Sequence, residues 1–405
     1  MSKRLRLIIM GIIGRTPLAG VSWQALQYLE GFRRLGYDIY YVEDTGDWAY
    51  NPEQKTSDDD CQYAINCQYA VNYVARLMSW YGLPDRWAYR SRIDGRLFGL
   101  SEAQVSHVFE EADALVNLTG STWLFEEHLR VPVRVYLETD PVLRQIEVVQ
   151  GCRDAIELLS AHTHHFTYGE NLGAPDCGVP PTRFDCRPTR QPIVLDWWRS
   201  DAPLTPDGSY QARAPGCFTT IANWQQSGKD IEWNGETYLW SKHIEFLKFI
   251  DLPRKTDREF ELALLCKDAK DAEAIPLLTS HGWRVVDALA LSKNIWPYRD
   301  YILGSRGEFT VAKDQNIRLR SGWFSDRSAC YLATGKPVIT QDTGFGNILP
   351  TGRGLFAFQT MEDILAAMEA IESDYEGHCR AAREIAAEYF AAEKVLGSLM
   401  GRAGL

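Results

Sequence analysis

Short apolar runs alternate along the chain with stretches whose apolar residues recur at helical spacing. Arg6–Met10 is an apolar run bounded by glycine, and it predicts a buried parallel strand. Residues 22–35 then carry apolar side chains on one helical face, and residues 38–42 form a second apolar run. Strand, glycine-containing loop, helix and strand together predict a βαβ unit.

The same alternation continues to the end of the chain. Further strands are predicted at Ala114–Leu118, 132–137, His164–Thr167, Phe218–Asn223, 259–265, 283–286, 307–311 and Val338–Gln341. Helices are predicted at 62–81, 101–111, 142–160, 238–250, 272–281, 295–305, 326–334, 361–372 and 376–399. Such alternation is typical of α/β proteins, in which helices cover both faces of a mostly parallel sheet.

A proline-rich stretch from residue 173 to residue 215 interrupts this alternation. We therefore predict two doubly wound α/β domains. The first spans residues 1–185. The linker spans 186–216, and the second domain spans 217–385.

Charge and cysteine content narrow the class of protein. The chain has 405 residues and a net charge of −11, so we expect neither a nucleic-acid partner nor an anionic membrane partner, because both need a basic face. No apolar run approaches the roughly 18 residues of a transmembrane helix. The nine cysteines show no C-x-x-C spacing, which predicts reduced thiols and a cytoplasmic protein.

The densest chemical signal is the segment 321–354. Ser325 and Asp326 form a typical helix start, and the free N–H groups of such a start bind anions. Arg327 adds a charged donor, and Ser328 lies in the same turn. We predict a phosphate site here. The alternative is an ordinary serine cap.

The strand that follows ends in the glycine-rich loop 341–346. Carboxyl ends of strands line the ligand crevice in open α/β sheets, so this loop is predicted to face a polar ligand. The predicted contacts are Asp342, Thr343, Gly344, Phe345 and Gly346, with Trp323 and Phe324 as further aromatic neighbours. The alternative is a glycine turn without a ligand.

The stretch Phe324-Ser325-Asp326-Arg327-Ser328, followed by Tyr331-Leu332-Ala333-Thr334-Gly335-Lys336-Pro337-Val338, resembles the donor-binding signature of GT-B glycosyltransferases of the family 1 and 4 type. The C-terminal portion also resembles the CgeB-like branch. The resemblance covers residues 217–395. Cys330 departs from it, because retaining members commonly carry a glutamate at or near this position.

This resemblance implies two Rossmann-like domains that face each other across a cleft. The nucleotide sugar would lie on the C-terminal domain with its diphosphate at residues 325–328, and its sugar would face residues 342–346. The acceptor would lie on the N-terminal domain, and the last helix, at about residues 386–405, would cross back and be added to that domain. Such enzymes generally need no metal ion and no other cofactor.

Several residues outside the motif are candidates for the same site. Lys229 and Lys313 are predicted to contact the diphosphate, with Lys242 as a further candidate. Gly14 and Gly20 belong to the first glycine loop, which faces the acceptor in the resembling family. Asp140 is our candidate catalytic base, and Glu43, Asp44, Glu138 and Glu170 also end predicted strands.

A histidine cluster at positions 162, 164 and 165 suggests a metal site at first sight. Neighbouring residues of a strand point to opposite faces, which separates His164 from His165. We therefore expect no metal site.

The sequence thus predicts a metal-independent glycosyltransferase of the hexosyltransferase type. It would use a nucleotide-diphosphate sugar and an unidentified small-molecule or glycan acceptor. Two alternatives stay open: a nucleotide-sugar-binding protein without catalysis, and a nucleotide-sugar epimerase of the same fold.

Overall fold

The structure, a computed structural model, describes residues 4–54, 60–199, 216–265 and 269–405, without the side chains of residues 60, 61 and 269–272. Its first half contains the strands β1 (Arg6–Met10), β2 (Asp38–Thr45), β3 (Trp87–Ser91), β4 (Leu97–Gly99), β5 (Ala114–Leu118), β6 (Val133–Glu138), β7 (His164–Thr167) and β8 (Cys186–Pro188). Its helices are α1 (Ala19–Arg34), α2 (Asp60–Trp80), α3 (Glu102–Glu110), α4 (Glu126–Leu129), α5 (Leu143–Val149) and α6 (Arg153–Ser160).

These strands form one sheet in the order β4-β3-β2-β1-β5-β6-β7-β8, parallel throughout except for the β3–β4 pair. β1 lies in the middle, where Ile8 is opposite Tyr40 on one side and Leu115 on the other. Four of its five residues are fully buried, as the unbroken apolar run predicted.

The second half contains the strands β9 (Phe218–Asn223), β10 (Ile231–Trp233), β11 (Glu236–Tyr238), β12 (Phe260–Leu265), β13 (Arg284–Asp287), β14 (Gly307–Thr310), β15 (Val338–Gln341) and β16 (Leu355–Phe358). Its helices are α7 (His243–Lys248), α8 (Ala269–Ser280), α9 (Ala288–Ser292), α10 (Ile295–Gly304), α11 (Asp314–Arg318), α12 (Asp326–Ala333), α13 (Met361–Ser373), α14 (Tyr375–Ile385) and α15 (Ala392–Arg402). The parallel sheet has the order β13-β12-β9-β14-β15-β16, and β10 and β11 form a separate hairpin.

The last helix crosses back to the first half, as predicted. α15 packs on α1, where Gly31 leaves room for Leu396: a Cβ at Gly31 would lie 2.4 Å from that side chain. The Arg402 guanidinium donates to the Pro188 carbonyl at 2.7 Å. The predicted single helix 376–399 is in fact two helices, separated by a π-helical turn at Ala386–Phe390 that bonds to Ile193.

Other differences from the predicted elements have local causes. The predicted helix 142–160 is divided at Gly151, which has a φ of +79°. Residues 236–238 belong to a hairpin, which shortens the predicted helix 238–250 to α7. Cys186–Pro188 pairs with β7 and so extends the first sheet into the predicted linker, whose residues 200–215 lie outside the described residues.

The α/β class with two doubly wound parallel sheets is therefore confirmed. Among the described residues, no helix is both long and apolar enough to cross a membrane.

Candidate active site

Two adjoining cavities lie between the halves. The α12 cavity, of about 330 Å³, is lined by Leu18, Gly20, Val21, Gln24, Ile221, Ala222, Asn223, Gln226, Lys242, Leu265, Ala288, Ser292, Tyr298, Lys313, Trp323, Ser325, Asp326 and Arg327. The β6 cavity, of about 480 Å³, is lined by Ile12, Arg15, Val21, Gln24, Asp47, Thr119, Gly120, Ser121, Trp123, Tyr136, Glu138, Thr139, Asp140, Leu143, Arg144, Leu158, Lys229, Trp323 and Asp326. Val21, Gln24, Trp323 and Asp326 belong to both, so the cavities meet at these residues.

Two helix starts face the α12 cavity. α12 begins after Ser325, whose backbone is extended and whose side chain makes no capping hydrogen bond. α1 begins after Leu18, which cannot cap with its side chain, and Gly20 lies in its first turn. The first N–H groups of a helix have no partner within it, so both helices present donors and positive dipole ends here. The Ser328 hydroxyl is buried without a hydrogen-bond partner.

Lysines gather at the same place. Lys229 Nζ lies 3.7 Å from one Asp140 carboxylate oxygen and Lys313 Nζ lies 3.5 Å from the other. The Lys313 ammonium also lies 2.9 Å from the centroid of the Trp240 ring, a close cation–π contact. Burial lowers the pKa of Lys313 to about 8, although Asp140 acts in the opposite direction.

Lys242 is the most unusual cation of the cleft. It is buried, and among the described residues its ammonium group has neither a hydrogen bond nor an ion pair, only the Trp323 ring 5.7 Å from Nζ. Burial, followed by the charges of Arg327 and Lys313, lowers the pKa of Lys242 well below its ordinary value. An unpaired buried ammonium is costly, so the site favours an anion at this point.

Arg327 lies in the α12 cavity but is firmly held by the protein. Its Nε donates to Glu308 at 2.6 Å, its Nη2 donates to the Thr310 hydroxyl at 3.0 Å, and its Nη1 donates to the Ile221 carbonyl. Glu308 is fully buried. The first role of Arg327 is thus to neutralise Glu308, and its edge forms part of the cavity wall.

Asp326 lies where the two cavities meet. Gln24 Nε2 of α1 donates to one of its oxygens at 3.1 Å, which joins the halves across the cleft. Burial and the charge of Asp140 together raise the pKa of Asp326 to about 7, although the hydrogen bond from Gln24 acts to lower it.

The loop predicted to face the sugar lies elsewhere. Neither cavity is lined by Asp342, Thr343, Gly344, Phe345 or Gly346. Asp342 accepts from Arg320 at 2.9 Å and from the Gly344 N–H at 2.9 Å, and the Thr343 hydroxyl donates to the Trp323 carbonyl at 2.6 Å. The loop therefore supports the segment that carries Trp323, and its contact with the sugar stays a prediction.

Of the three aromatic candidates, one lines the cavities and two are buried away from them. Phe324 and Phe345 are buried and pack on each other with their centroids 5.3 Å apart. Trp323 alone of the three lines the cavities, and its indole N–H donates to the Thr139 carbonyl of the first half at 3.0 Å.

The first glycine loop has two roles. Gly20 lines the α12 cavity, whereas Gly14 packs against Tyr89, where a Cβ would lie 2.8 Å from the ring. Both oxygens of Glu43 accept backbone N–H groups of this loop, from Gly14 and Arg15. Burial raises the pKa of Glu43 to about 7, although the hydrogen bond from the Gly14 N–H acts to lower it. Glu43 is therefore an anchor of the loop.

The remaining strand-end acids are mostly paired. Glu170 bonds to Arg190 outside the two cavities. Glu138 lines the β6 cavity, and one of its oxygens accepts from Thr167 at 2.6 Å and from Gln145 at 2.7 Å. Burial raises the pKa of Glu138 to about 7 in spite of these hydrogen bonds. Asp140 lines the same cavity, where one of its carboxylate oxygens faces Lys229 and the other faces Lys313.

One group of described side chains has the spacing of metal ligands, namely Asp44, Glu127 and His128, with ligand atoms within 4.8 Å of one another. Arg90 and Arg92 bond to both carboxylates, so guanidinium groups already occupy the place of a cation. Burial opposes ionisation, yet hydrogen bonds from His128 and Arg92 lower the pKa of Asp44. The rings of His162 and His165 instead bond to backbone carbonyls.

Sequence reasoning missed Gln24 and Tyr298. Gln24 lies within α1, whose apolar face gave no sign that a polar side chain would reach the second half. The Tyr298 hydroxyl lies close to Gly20, at 3.5 Å from the position of a Cβ there. Only the packing of the two halves brings these residues to the cleft.

The sequence matches no protein-family model and no curated protein. Solved structures are similar over the whole chain. An alpha-glucosyltransferase in complex with UDP-glucose and DNA containing an abasic site has a TM-score of 0.57 at 10% identity, with 100% of each chain covered. Anabaena Alr3699/HepE in complex with UDP and glucose has a TM-score of 0.53 at 11% identity, covering 99% of this chain and 100% of the other. AviGT4, a glycosyltransferase involved in Avilamycin A biosynthesis, has a TM-score of 0.51 at 10% identity. The fold is therefore the GT-B glycosyltransferase fold.

These structures correct one expectation. We expected the net charge of −11 to exclude a nucleic-acid partner. The alpha-glucosyltransferase structures of the same fold are complexes with DNA, so that exclusion is wrong. Net charge is summed over the whole surface, whereas binding depends on one local face.

Proposed function

We propose that the protein is a glycosyltransferase that takes a hexose from a nucleoside diphosphate sugar. The observation that carries the proposal is Lys242, a buried lysine without a carboxylate partner, in a cavity that two helix starts also face. Lys313 and Lys229 lie on the Asp140 side of the cleft. A diphosphate is the anion that these donors and cations fit.

The adjoining cavities support transfer between two substrates. The nucleoside and diphosphate would occupy the α12 cavity with α12 and Lys242. The acceptor would occupy the β6 cavity, which the first half lines. Trp323 and Asp326 would then border both substrates at the point of transfer. Lysines and helix dipoles would neutralise the leaving diphosphate, so we propose transfer without a metal ion.

The test is a binding measurement with UDP-glucose, GDP-glucose, ADP-glucose and dTDP-glucose, in which UDP-glucose stands first because similar structures hold it. We expect Lys242→Met to weaken binding by about 10- to 100-fold, since a hydrogen bond to a charged group contributes about 1.5–3 kcal/mol. The same variant should raise the Tm, because it replaces an unpaired buried amino group with an apolar side chain of similar length.

Lys255→Met is the matched control, because Lys255 is exposed and outside both cavities. It should leave affinity and Tm unchanged. If Lys242→Met binds the nucleotide sugar as tightly as the wild type, the diphosphate assignment is wrong.

Product analysis then separates the three functional classes. A transferase releases UDP and glycosylates an acceptor, an epimerase changes the sugar without releasing UDP, and a binding protein does neither. The acceptor screen should include saccharides and also DNA containing a HMU base, which the alpha-glucosyltransferase of similar fold binds. Activity that persists in EDTA supports the metal-independent reaction, and activity that Mg²⁺ or Mn²⁺ alone restores contradicts it.

A further inference from the structure

Asp326 is an acidic residue of the cleft whose role in the proposed site is still open. It is partly exposed where the two cavities meet, and it is the first residue of α12. Among the described residues, the one side chain that donates to it is Gln24, and no cation forms an ion pair with it. Asp140 has two lysine neighbours and Asp47 has Arg15, so these acids of the β6 cavity are compensated and Asp326 is not.

Burial and the neighbouring Asp140 oppose a negative charge on Asp326, and they outweigh the Gln24 amide, the first N–H groups of α12 and Arg327, which favour it. From the first half, Gln24 and the Tyr28 hydroxyl lie on α1, Tyr168 follows β7, and Asp140 follows β6. On its own helix, Arg327 is turned to Glu308, and Cys330 is a buried thiol one turn further. The lysines of the site are engaged with Asp140 or face the cavity. Burial and Asp140 therefore act together on the carboxyl group.

The same turn of α12 presents the N–H groups proposed for the diphosphate. A carboxylate there would repel a diphosphate, whereas a carboxylic acid would donate its O–H to a phosphate oxygen. We infer that Asp326 binds the donor diphosphate as a neutral carboxylic acid, so that donor binding takes up one proton from solvent. This inference rests on the proposed function and assigns Asp326 as a residue that contacts the substrate.

The neutral acid has a consequence for transfer. As the bond between the sugar and the diphosphate breaks, negative charge grows on the leaving phosphate oxygens. The O–H of Asp326 then donates to a stronger acceptor than in the ground state, which stabilises the transition state. The proton returns to solvent when the nucleoside diphosphate leaves.

Calorimetry with UDP-glucose tests this directly, because its diphosphate diester does not titrate between pH 6 and pH 9. Titrations at pH 7.5 in buffers of different ionisation enthalpy measure the protons taken up. We expect Asp326→Asn to take up fewer protons than the wild type, by most of one proton. The uptake that remains in the variant belongs to Lys242 and Lys313, whose lowered pKa values a bound diphosphate would raise. Asn keeps the size of the side chain and can donate from its amide.

Affinity should show the same linkage. For a group that titrates near pH 7 and must be protonated for binding, the affinity at pH 8.5 falls about 30-fold below its low-pH limit. We therefore expect Asp326→Asn to bind UDP-glucose about 30-fold more tightly than the wild type at pH 8.5, and equally at pH 6. Lys313→Arg, which stays charged, shows how much of the wild-type pH dependence belongs to that lysine.

The outcomes separate the two hypotheses. If the wild type binds none of the nucleotide sugars, the proposed function fails and this inference with it. If the wild type binds UDP-glucose but Asp326→Asn takes up the same number of protons, only the role of Asp326 is wrong. Gln24→Ala is a second test should Asp326→Asn fold poorly. Loss of the hydrogen bond from Gln24 should raise the pKa of Asp326, so the proton uptake should begin at a higher pH than in the wild type. Uptake with an unchanged pH dependence would contradict the inference.

Discussion

Replacement of Arg327 by alanine tests how the α12 start is held against the second sheet. Arg327 is 11% exposed and Glu308 is fully buried, so the pair is shielded from solvent. The variant removes three donated hydrogen bonds and leaves the Glu308 carboxylate with the distant Thr220 hydroxyl, at 3.5 Å, as its donor. Its second oxygen has no partner even in the wild type.

Removal of one partner from a buried ion pair costs about 3–5 kcal/mol. If each half unfolds as a unit of about 150–250 residues, this corresponds to a fall in Tm of about 6–20 °C. We expect thermal unfolding followed by intrinsic fluorescence to show that fall in Arg327→Ala. Donor affinity should also drop at least about 10-fold, because the turn that presents the N–H groups loses its anchor.

The double variant Arg327→Ala/Glu308→Gln is the control. It replaces the stranded carboxylate with a neutral amide of the same shape and should recover much of the lost stability. A Tm for Arg327→Ala within about 1 °C of the wild type would refute the reasoning, because the cost of a stranded buried carboxylate is several times larger. A double variant no more stable than the single one would show that the loss comes from packing and not from the charge.

Two further predictions concern contacts between the halves. Gly322→Ala should lower the Tm more than Gly36→Ala. Both glycines have positive φ, which costs alanine about 1–2 kcal/mol, but only at Gly322 would the new Cβ also meet backbone, 2.3 Å from Asn171 N. Equal losses of Tm in the two variants would contradict this prediction. Gly31→Ala should destabilise the protein by about 1–3 kcal/mol, because its Cβ would crowd Leu396. Leu396→Ala should then cost less stability in the Gly31→Ala variant than in the wild type. Thermal unfolding of the wild type, the two single variants and the double variant measures this difference.

The buried parallel strands were the part of the fold that the sequence predicted best. β1, β5, β7, β9 and β15 begin and end where their apolar runs do. Some of the missed strands, such as β4 and the β10–β11 hairpin, are short and partly exposed, and their side chains carry no continuous apolar run. Two buried strands were missed as well: β3, in which Arg90 and Ser91 interrupt the apolar residues, and β16, whose apolar run is only four residues long. Tyr238 was predicted to begin a helix. It lies in a strand because it pairs with Ile231, and this pairing is not visible in the sequence around Tyr238.

The residues of the candidate site also differ in how far the sequence could predict them. The start of α12 and the lysines near Asp140 could be found, because a polar helix start and basic residues after strands are visible in the sequence. The loop after β15 could not be placed, because its position depends on Arg320 and on backbone contacts with residues 322 and 323. That Asp326 meets Gln24 depends on how the two sheets face each other, which no local pattern encodes.

The return of α15 to α1 bears on how the protein is made. The ribosome synthesises α1 early and α15 last, and nearly the whole chain separates Gly31 from Leu396. Domains generally fold in the order of synthesis, yet this first domain lacks one of its packing partners until the second domain has emerged. The part of α1 around Gly31 therefore stays uncovered until α15 has been synthesised, and a truncation just before Ala392 would leave the first domain without that packing partner.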